Sequence, residues 1–327
     1  MRILVTGGAG YVGSISVEHL LEAGHSVTVL DSIATGHRAA VPEGATLVEG
    51  SLLDAGLLER TLREDGIEAV LHCAARAQVA ESVADPALYY RENVVGGIGL
   101  LDAMRASGVS RIVFSSTAAV YGTPERTPIE EDDAKRPINP YGDSKLAFER
   151  ALDWYGRAYG LRAVALRYFN VAGATERFGE DHTPETHLIP IMLGAIESGR
   201  PLTVFGDDYP TPDGTCIRDY IHVSDLADAH AKALERTAGA EPGLEAFNLG
   251  SGSGFSVAEV IAVAERVTGR QVPRTIGPRR PGDPPVLVAS NRRAAEVLGW
   301  QPRRGTLEEM IGSAWHWRQR HGQGYGG

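Results

Sequence analysis

The 327-residue sequence predicts an α/β fold, a doubly wound parallel sheet of Rossmann-like type followed by a smaller, loop-rich α/β domain. Three observations carry this. Short apolar runs alternate with amphipathic stretches through the first half. The first run feeds a glycine-rich turn that opens a helical pattern. After about Val171 the texture changes to more proline, more glycine and longer loops.

The strand-like runs are residues 3–6, 26–31, 69–74, 111–115 and 163–167. Between them, residues 12–23, 87–107 and 141–159 carry apolar side chains at three- and four-residue spacing, the signature of a helix that buries one face. Strand, helix, strand in repetition demands crossover connections, and crossovers make the strands parallel. Residues 1–170 are therefore expected to form the first domain and residues 171–327 the second. Stretches near 219–225 and 246–250 read as strands that could return to the first sheet. The second half carries an isolated helix at 188–198 among loops at 176–186, 206–214 and 277–285. Its polar, glycine-rich tail, 316–327, is expected to fray.

Composition narrows the partners. A net charge of −10 and a pI near 5.5 argue against nucleic acid and anionic membranes, which need a positive surface. The chain enters a buried-strand pattern directly from Met1, and nowhere do eighteen apolar residues run together, so no export signal or membrane span is expected and a cytoplasmic protein is. The cysteines, Cys73 and Cys216, sit in unrelated contexts, so neither a metal site nor a disulfide is expected.

Ligands on doubly wound sheets bind at the carboxyl ends of the strands, which directs attention to the loops there. Gly7-Gly8-Ala9-Gly10-Tyr11-Val12-Gly13 follows the first strand and opens the first helix. Glycines at that spacing let backbone approach a pyrophosphate, and the helix N-terminus offers free N–H groups and a positive dipole end. Asp31 closes the second strand eighteen residues past Gly13, where a carboxylate binds adenosine ribose hydroxyls and repels a 2′-phosphate. NAD is favoured over NADP, with Arg38 nearby the one feature pointing the other way.

Tyr141-Gly-Asp-Ser-Lys145 sets a phenol and an ammonium on one face of a helix. The strand at 111–115 runs on into Ser115-Ser116-Thr117 and delivers hydroxyls to the same sheet edge. Oxidising a secondary alcohol by hydride transfer needs a base for the hydroxyl proton, and tyrosine, with a pKa of about 10, is poor at neutral pH. Lowering that value by about three units takes roughly 4 kcal/mol of differential stabilisation, within reach of two nearby cations, Lys145 and an oxidised nicotinamide. Tyr141 is thus the expected base and Lys145 its tuner. Thr117 or Ser116 would hydrogen-bond the substrate oxygen.

With these motifs stand Phe114-Ser-Ser-Thr-Ala-Ala-Val-Tyr-Gly122, Pro140-Tyr-Gly-Asp-Ser-Lys145, Arg167-Tyr-Phe-Asn170, Gly206-Asp-Asp-Tyr209, Arg218-Asp-Tyr-Ile-His222 and Arg280-Pro-Gly-Asp283. Together they resemble the UDP-glucose 4-epimerase family of extended short-chain dehydrogenases. The resemblance implies a tightly held NAD that is not consumed, a transient 4-keto sugar, and a homodimer built on the helices at 87–107 and 141–159. It implies that the first domain binds NAD through Gly7, Gly10, Tyr11, Val12, Gly13, Asp31, Ser32, Ser51, Leu52, Cys73, Ala74, Ala75, Asn93, Ser115, Tyr141, Lys145 and Tyr168. The second domain, with Thr117, would bind the UDP-sugar through Asn170, His187, Leu188, Thr203, Phe205, Arg218, Tyr220, Arg280, Asp283 and Leu287. Arg218 and Arg280 suit the electrostatics, because a diphosphate entering an acidic protein needs fixed cations.

Some positions depart from the family pattern. Many relatives carry Gly-Asp where this chain has Gly50-Ser51, which puts the adenine contact in question. Arg76 stands where an apolar residue is usual, and either faces solvent or meets a sugar carboxylate, which would make UDP-glucuronate a substrate. Leu287 occupies a position that in the family helps set pocket size, and a leucine there leaves N-acetylated hexoses open. Related dehydratases and decarboxylases keep an acid beside the catalytic threonine, whereas Ala118 and Ala119 follow Thr117 here. A non-catalytic NAD-sensing protein could share the fold, but it would be free to lose Tyr141, Lys145 and Thr117, and all three are present.

Overall fold

A computed structural model describes residues 1–280, 283–322 and 324–326. Seven parallel strands form the central sheet: β1 (Arg2–Thr6), β2 (Ser26–Asp31), β3 (Thr46–Glu49), β4 (Ala69–His72), β5 (Arg111–Thr117), β6 (Arg162–Tyr168) and a seventh, Gly243–Leu249. Their spatial order is Gly243–Leu249, β6, β5, β4, β1, β2, β3. The winding reverses between β1 and β4, so the loops leaving those two strands diverge and open a crevice at their carboxyl ends.

Alternation along β1 shows why the sheet is covered on both faces. Ile3 and Val5 join Val17 and Leu20 of the helix Tyr11–Glu22 and Leu226, Ala229 and Leu234 of the helix Val223–Gly239. Leu4 points the other way, to Leu58, Leu100, Met104, Phe148 and Leu152 on the helices Ala55–Glu64, Gly96–Ser107 and Pro140–Tyr159. Strands buried on both faces read as unbroken apolar runs, which is how most of them were visible in the sequence. The edge strand β3 is only half-buried and has no such run, so the sequence reading passed over it.

Three expectations need correction. Tyr220–His222 pairs with Asn170–Ala172 in a separate two-stranded sheet, and residues from Val223 onward are helical, so the stretch near 219–225 does not return to the central sheet. Gly243–Leu249 does return, in register with Arg162–Tyr168, and the helix Val223–Gly239 packs on that sheet as well. The expected single helix over 87–107 is broken: Pro86–Tyr89, capped by Asp85, passes through a π-helical turn at Tyr90–Val95 before Gly96–Ser107. The wider turn carries Asn93, whose side chain braces a cavity loop described below.

The tail is also ordered through most of its length. The helix Leu307–Arg320 holds Trp317 at 4% exposure, the Gly179 N–H donates to the Tyr325 hydroxyl at 2.9 Å, and the Tyr325 N–H donates to Asp181 at 2.9 Å. Two aromatic anchors outweigh the glycine content. Gln323 and Gly327 of the expected frayed segment lie outside the described residues, as do Pro281 and Gly282 of the Arg280-to-Asp283 motif.

The remaining residues build a smaller lobe over the crevice. Its short sheets pair Leu202–Phe205 with Arg274–Gly277, and Ile217–Arg218 with both Phe255–Ser256 and Val286–Leu287. The helices Leu188–Ser198, Val257–Thr268 and Leu307–Arg320 close its core around Met192, Leu193, Val260, Ala264 and Met310. Among the described residues no helix is long and apolar enough to cross a membrane.

Candidate active site

A cavity of about 1430 Å³ lies between the sheet edge and the smaller lobe. One wall is the turn from β1. Gly7 has φ +74°, and a Cβ there would sit 2.5 Å from the Ala74 nitrogen, while a Cβ at Gly13 would sit 2.0 Å from the Gly7 carbonyl oxygen. Only glycine lets the β1 and β4 loops and the start of the helix come this close. Gly10 caps Tyr11–Glu22 with no side chain, and the first turn holds no acidic residue, so its N–H groups face the cavity free for an anion. Asp31 lies at the far end, accepting the Ala9 N–H at 3.0 Å and the Ile33 N–H at 2.8 Å. Arg38 is engaged by Glu49, while Asp31 lines the cavity. A turn of backbone donors, a slot between diverging strands and a carboxylate at its end fit a dinucleotide.

The helix Pro140–Tyr159 begins with Pro140 behind an Asn139 side chain that accepts the Gly142 N–H, and this fixes Tyr141 in the first turn. Lys145, one turn on, donates from Nζ to the Ser115 carbonyl at 2.9 Å and lies 4.8 Å from the Phe114 ring centroid. Burial pushes the ammonium down to about 8, against the pull of Cys73 and Glu149. Burial likewise raises the Tyr141 phenol above its ordinary value, and the Thr117 hydroxyl works in the opposite direction. The expected lowering rests on two cations, Lys145 and an oxidised nicotinamide, and the protein groups by themselves leave the phenol raised. Tyr168 shares the cavity wall, its phenol raised by burial and then by the neighbouring Tyr141.

Nearly all the expected site residues line this one cavity, including Tyr11, Val12, Ser32, Ser51, Leu52, Cys73, Ala74, Ala75, Arg76, Asn170, Leu188, Thr203, Phe205, Tyr220 and Leu287. Three do not. Ser116 is fully buried and donates to Glu149 at 2.6 Å, so it cannot reach a substrate; Thr117 alone of the pair can. Ser115 offers its carbonyl to Lys145, while its hydroxyl meets Cys73 at 3.1 Å and His230 at 3.0 Å. Asn93 accepts the Arg76 N–H at 2.8 Å and donates to the Arg76 carbonyl at 3.0 Å, holding the β4 loop from behind.

On the smaller lobe Arg218 donates to the Ile217 and Pro284 carbonyls at 2.9 Å and approaches Asp283 at 3.6 Å, while Arg280 lies 4.0 Å from the Phe205 ring centroid. Two arginines and an aromatic face thus converge on one mouth of the cavity, where a diphosphate and a flat base can be held. Asp219, fully buried between Arg218 and Tyr220, accepts from Ser251 N and Oγ at 2.7 Å, Ala289 N at 3.0 Å and Gly252 N at 3.1 Å, locking three loops together.

The sequence reading missed a cluster. Glu180, His182, Glu185 and His187 bring one ligand atom each within 4.8 Å of one another, and all four line the cavity. His187, expected to touch the sugar nucleotide, lines the cavity, and its Nδ1 lies 2.7 Å from Glu180 and 3.0 Å from Glu185. Burial opposes charge on both imidazoles, but the adjoining Glu180 and Glu185 carboxylates override it and raise His182 to about 9 and His187 to about 10. The signal was there: an acid or imidazole at 180, 182, 185 and 187, within a loop otherwise read only as long.

A switch-point crevice, a glycine turn and a Tyr/Lys/Thr set define a dinucleotide-dependent enzyme of the short-chain dehydrogenase type, and residues 3–250 match the NAD dependent epimerase/dehydratase family model. UDP-glucose 4-epimerase of Lacticaseibacillus casei is 49% identical, over 100% of this chain and 99% of its own. The crystal structure of UDP-glucose 4-epimerase from Brucella ovis in complex with NAD superposes at TM-score 0.94 with 48% identity, covering 97% of this chain and 98% of that one. That from Bifidobacterium longum in complex with NAD+ and UDP gives 0.93 and 37%, over 99% and 100%. The chain belongs to the UDP-glucose 4-epimerase family, and it is an isomerase with NAD as cofactor.

Proposed function

We propose that this chain interconverts UDP-glucose and UDP-galactose by inverting carbon four of the hexose. The observation that carries the reading is the convergence of Tyr141, Lys145 and Thr117 on the cavity that also holds the glycine turn and Arg218 and Arg280. The turn at Gly7, Gly10 and Gly13, with Asp31, would hold NAD, which would supply a hydride acceptor and donor for carbon four.

The chain's residues supply the rest. Tyr141 takes the 4-hydroxyl proton and gives it back after the keto sugar has turned over. Thr117 donates to the oxygen as it becomes a carbonyl. Lys145, fixed on the Ser115 carbonyl, keeps positive charge under both. Arg218 and Arg280 hold the diphosphate while the sugar rotates, so the ketone is retained between the two hydride transfers. Turnover of UDP-galactose with no added NAD tests this: the wild type should be active, Tyr141→Phe should lose at least about a hundredfold, and full activity in that variant would remove Tyr141 from the mechanism.

A homodimer fits the exposed face of the helix Pro140–Tyr159, where Trp154 is 65% exposed with Tyr159 nearby. A second copy of that face is the occupant proposed. Sedimentation should give a dimer that Trp154→Glu weakens; a monomeric wild type would end the idea.

A further inference from the structure

We infer that Glu180, His182, Glu185 and His187 form a binding site for one divalent transition-metal ion, zinc(II) by preference. The four come from a single loop, and their ligand atoms all lie within 4.8 Å of one another. Tetrahedral zinc with ligands at about 2.0–2.1 Å requires separations of about 3.3 Å between them. Here His182 Nδ1 lies 3.3 Å from Glu180 and 3.6 Å from Glu185, and His187 Nδ1 lies 2.7 Å and 3.0 Å from the same two carboxylates. Small side-chain shifts suffice. Each carboxylate already faces both imidazoles, so no backbone movement is needed to point four donors at one centre.

The donor chemistry selects the ion. Two imidazoles and two carboxylates suit zinc and its neighbours, whereas magnesium and calcium prefer all-oxygen sets. Binding releases to solvent the proton each imidazole carries, and with both imidazoles neutral the two carboxylates balance the dication, so the occupied cluster carries no net charge. The site is also built into its surroundings: the Glu180 side chain is only 9% exposed, and His182 Nδ1 is a buried atom with no hydrogen-bond partner. The His182 ring meets the edge of Tyr11, in the glycine turn, at 6.4 Å between centroids.

Position gives the ion a role. The loop reaches from the smaller lobe to the dinucleotide side, where Gln78 Nε2 donates to the Pro184 carbonyl at 2.9 Å and His37 lies 3.0 Å from the Asp181 carbonyl. Cross-linking residues 180, 182, 185 and 187 through one ion would staple this strap across the cavity and slow release of what lies beneath.

The test uses the NAD-loaded enzyme, stripped with a chelator and dialysed, then titrated with zinc chloride by calorimetry. One ion per chain is expected, with the melting temperature up by about 4 °C at a hundredfold excess over Kd. The double variant His182→Gln, Glu185→Gln should lose the stoichiometric binding and the thermal shift while keeping bound NAD, read from its absorbance. A wild type that binds no zinc, or binding that survives in the double variant, overturns the site and leaves the four residues as an ion-pair network. Because neither readout is turnover, failure here leaves the proposed epimerisation untouched.

Discussion

Lys145 Nζ donates to the carbonyl of Ser115 at 2.9 Å, tying the ammonium to the strand whose last residue is Thr117. The bond explains how a buried lysine is held on the reacting side of the sheet and away from solvent. Lys145→Met should lower kcat by about two to four orders of magnitude, because the phenol loses its fixed cation. It should not lower stability, since burial already holds the ammonium down at about 8 and its removal relieves that penalty. Urea denaturation beside turnover separates the two; a variant both inactive and unfolded would mean that Lys145 is structural.

Glu149 and Arg167 form a bidentate pair at 2.9 and 2.6 Å, with 2% and 4% of their surfaces exposed. Arg167 further donates to the Tyr121 hydroxyl at 2.8 Å, and Tyr121 donates to Asn248 at 2.7 Å. Glu149→Gln strands the guanidinium and should cost about 3–5 kcal/mol, whereas Glu149→Leu with Arg167→Met should cost much less. Equal losses in the single and double variants, measured by denaturant midpoints, would show that the pair itself provides the stability.

His72 and His230 are buried neutral, pushed down to about 3 chiefly by burial, with Lys145 adding to it for His72. His222 is pushed down to about 4, again chiefly by burial. Each depressed imidazole leaves the unfolded chain binding more protons below pH 6.5. Its contribution is therefore complete above 6.5 and is lost as pH falls toward 3 to 4. Denaturant midpoints at pH 7, 6 and 5 should fall steadily. His230→Gln should flatten the slope, and an unchanged slope would remove His230 from the account.

Gly7→Ala meets Ala74 at φ +74° and Gly13→Ala meets the Gly7 carbonyl, so either should lower NAD content per chain after purification. Full NAD occupancy in Gly13→Ala would show that the turn has room to spare.

Much of this was legible because the signals are local. The glycine turn, Asp31, and the Tyr141–Lys145 spacing each fall within one connection of a parallel sheet, where sequence distance and function are linked. Ser116 and Thr117 looked equivalent because both carry hydroxyls at a strand end. Only the side-chain alternation of β5 decides between them, and Glu149, thirty-three residues on in sequence, takes Ser116. The Glu180, His182, Glu185 and His187 set has no cysteine and no regular helical or strand spacing, so only the folded loop brings its ligand atoms together. β3 stayed hidden because a half-buried edge needs no continuous apolar run.

The seventh strand has a further consequence. Gly243–Leu249 lies beside β6 only after the chain has traversed much of the smaller lobe, so the sheet is completed by a late segment. A polypeptide ended at residue 170 would expose β6 as a bare, sticky margin prone to self-association. The two halves are thus mutually dependent pieces: expressed apart they should aggregate, and produced together they should reassemble by complementation.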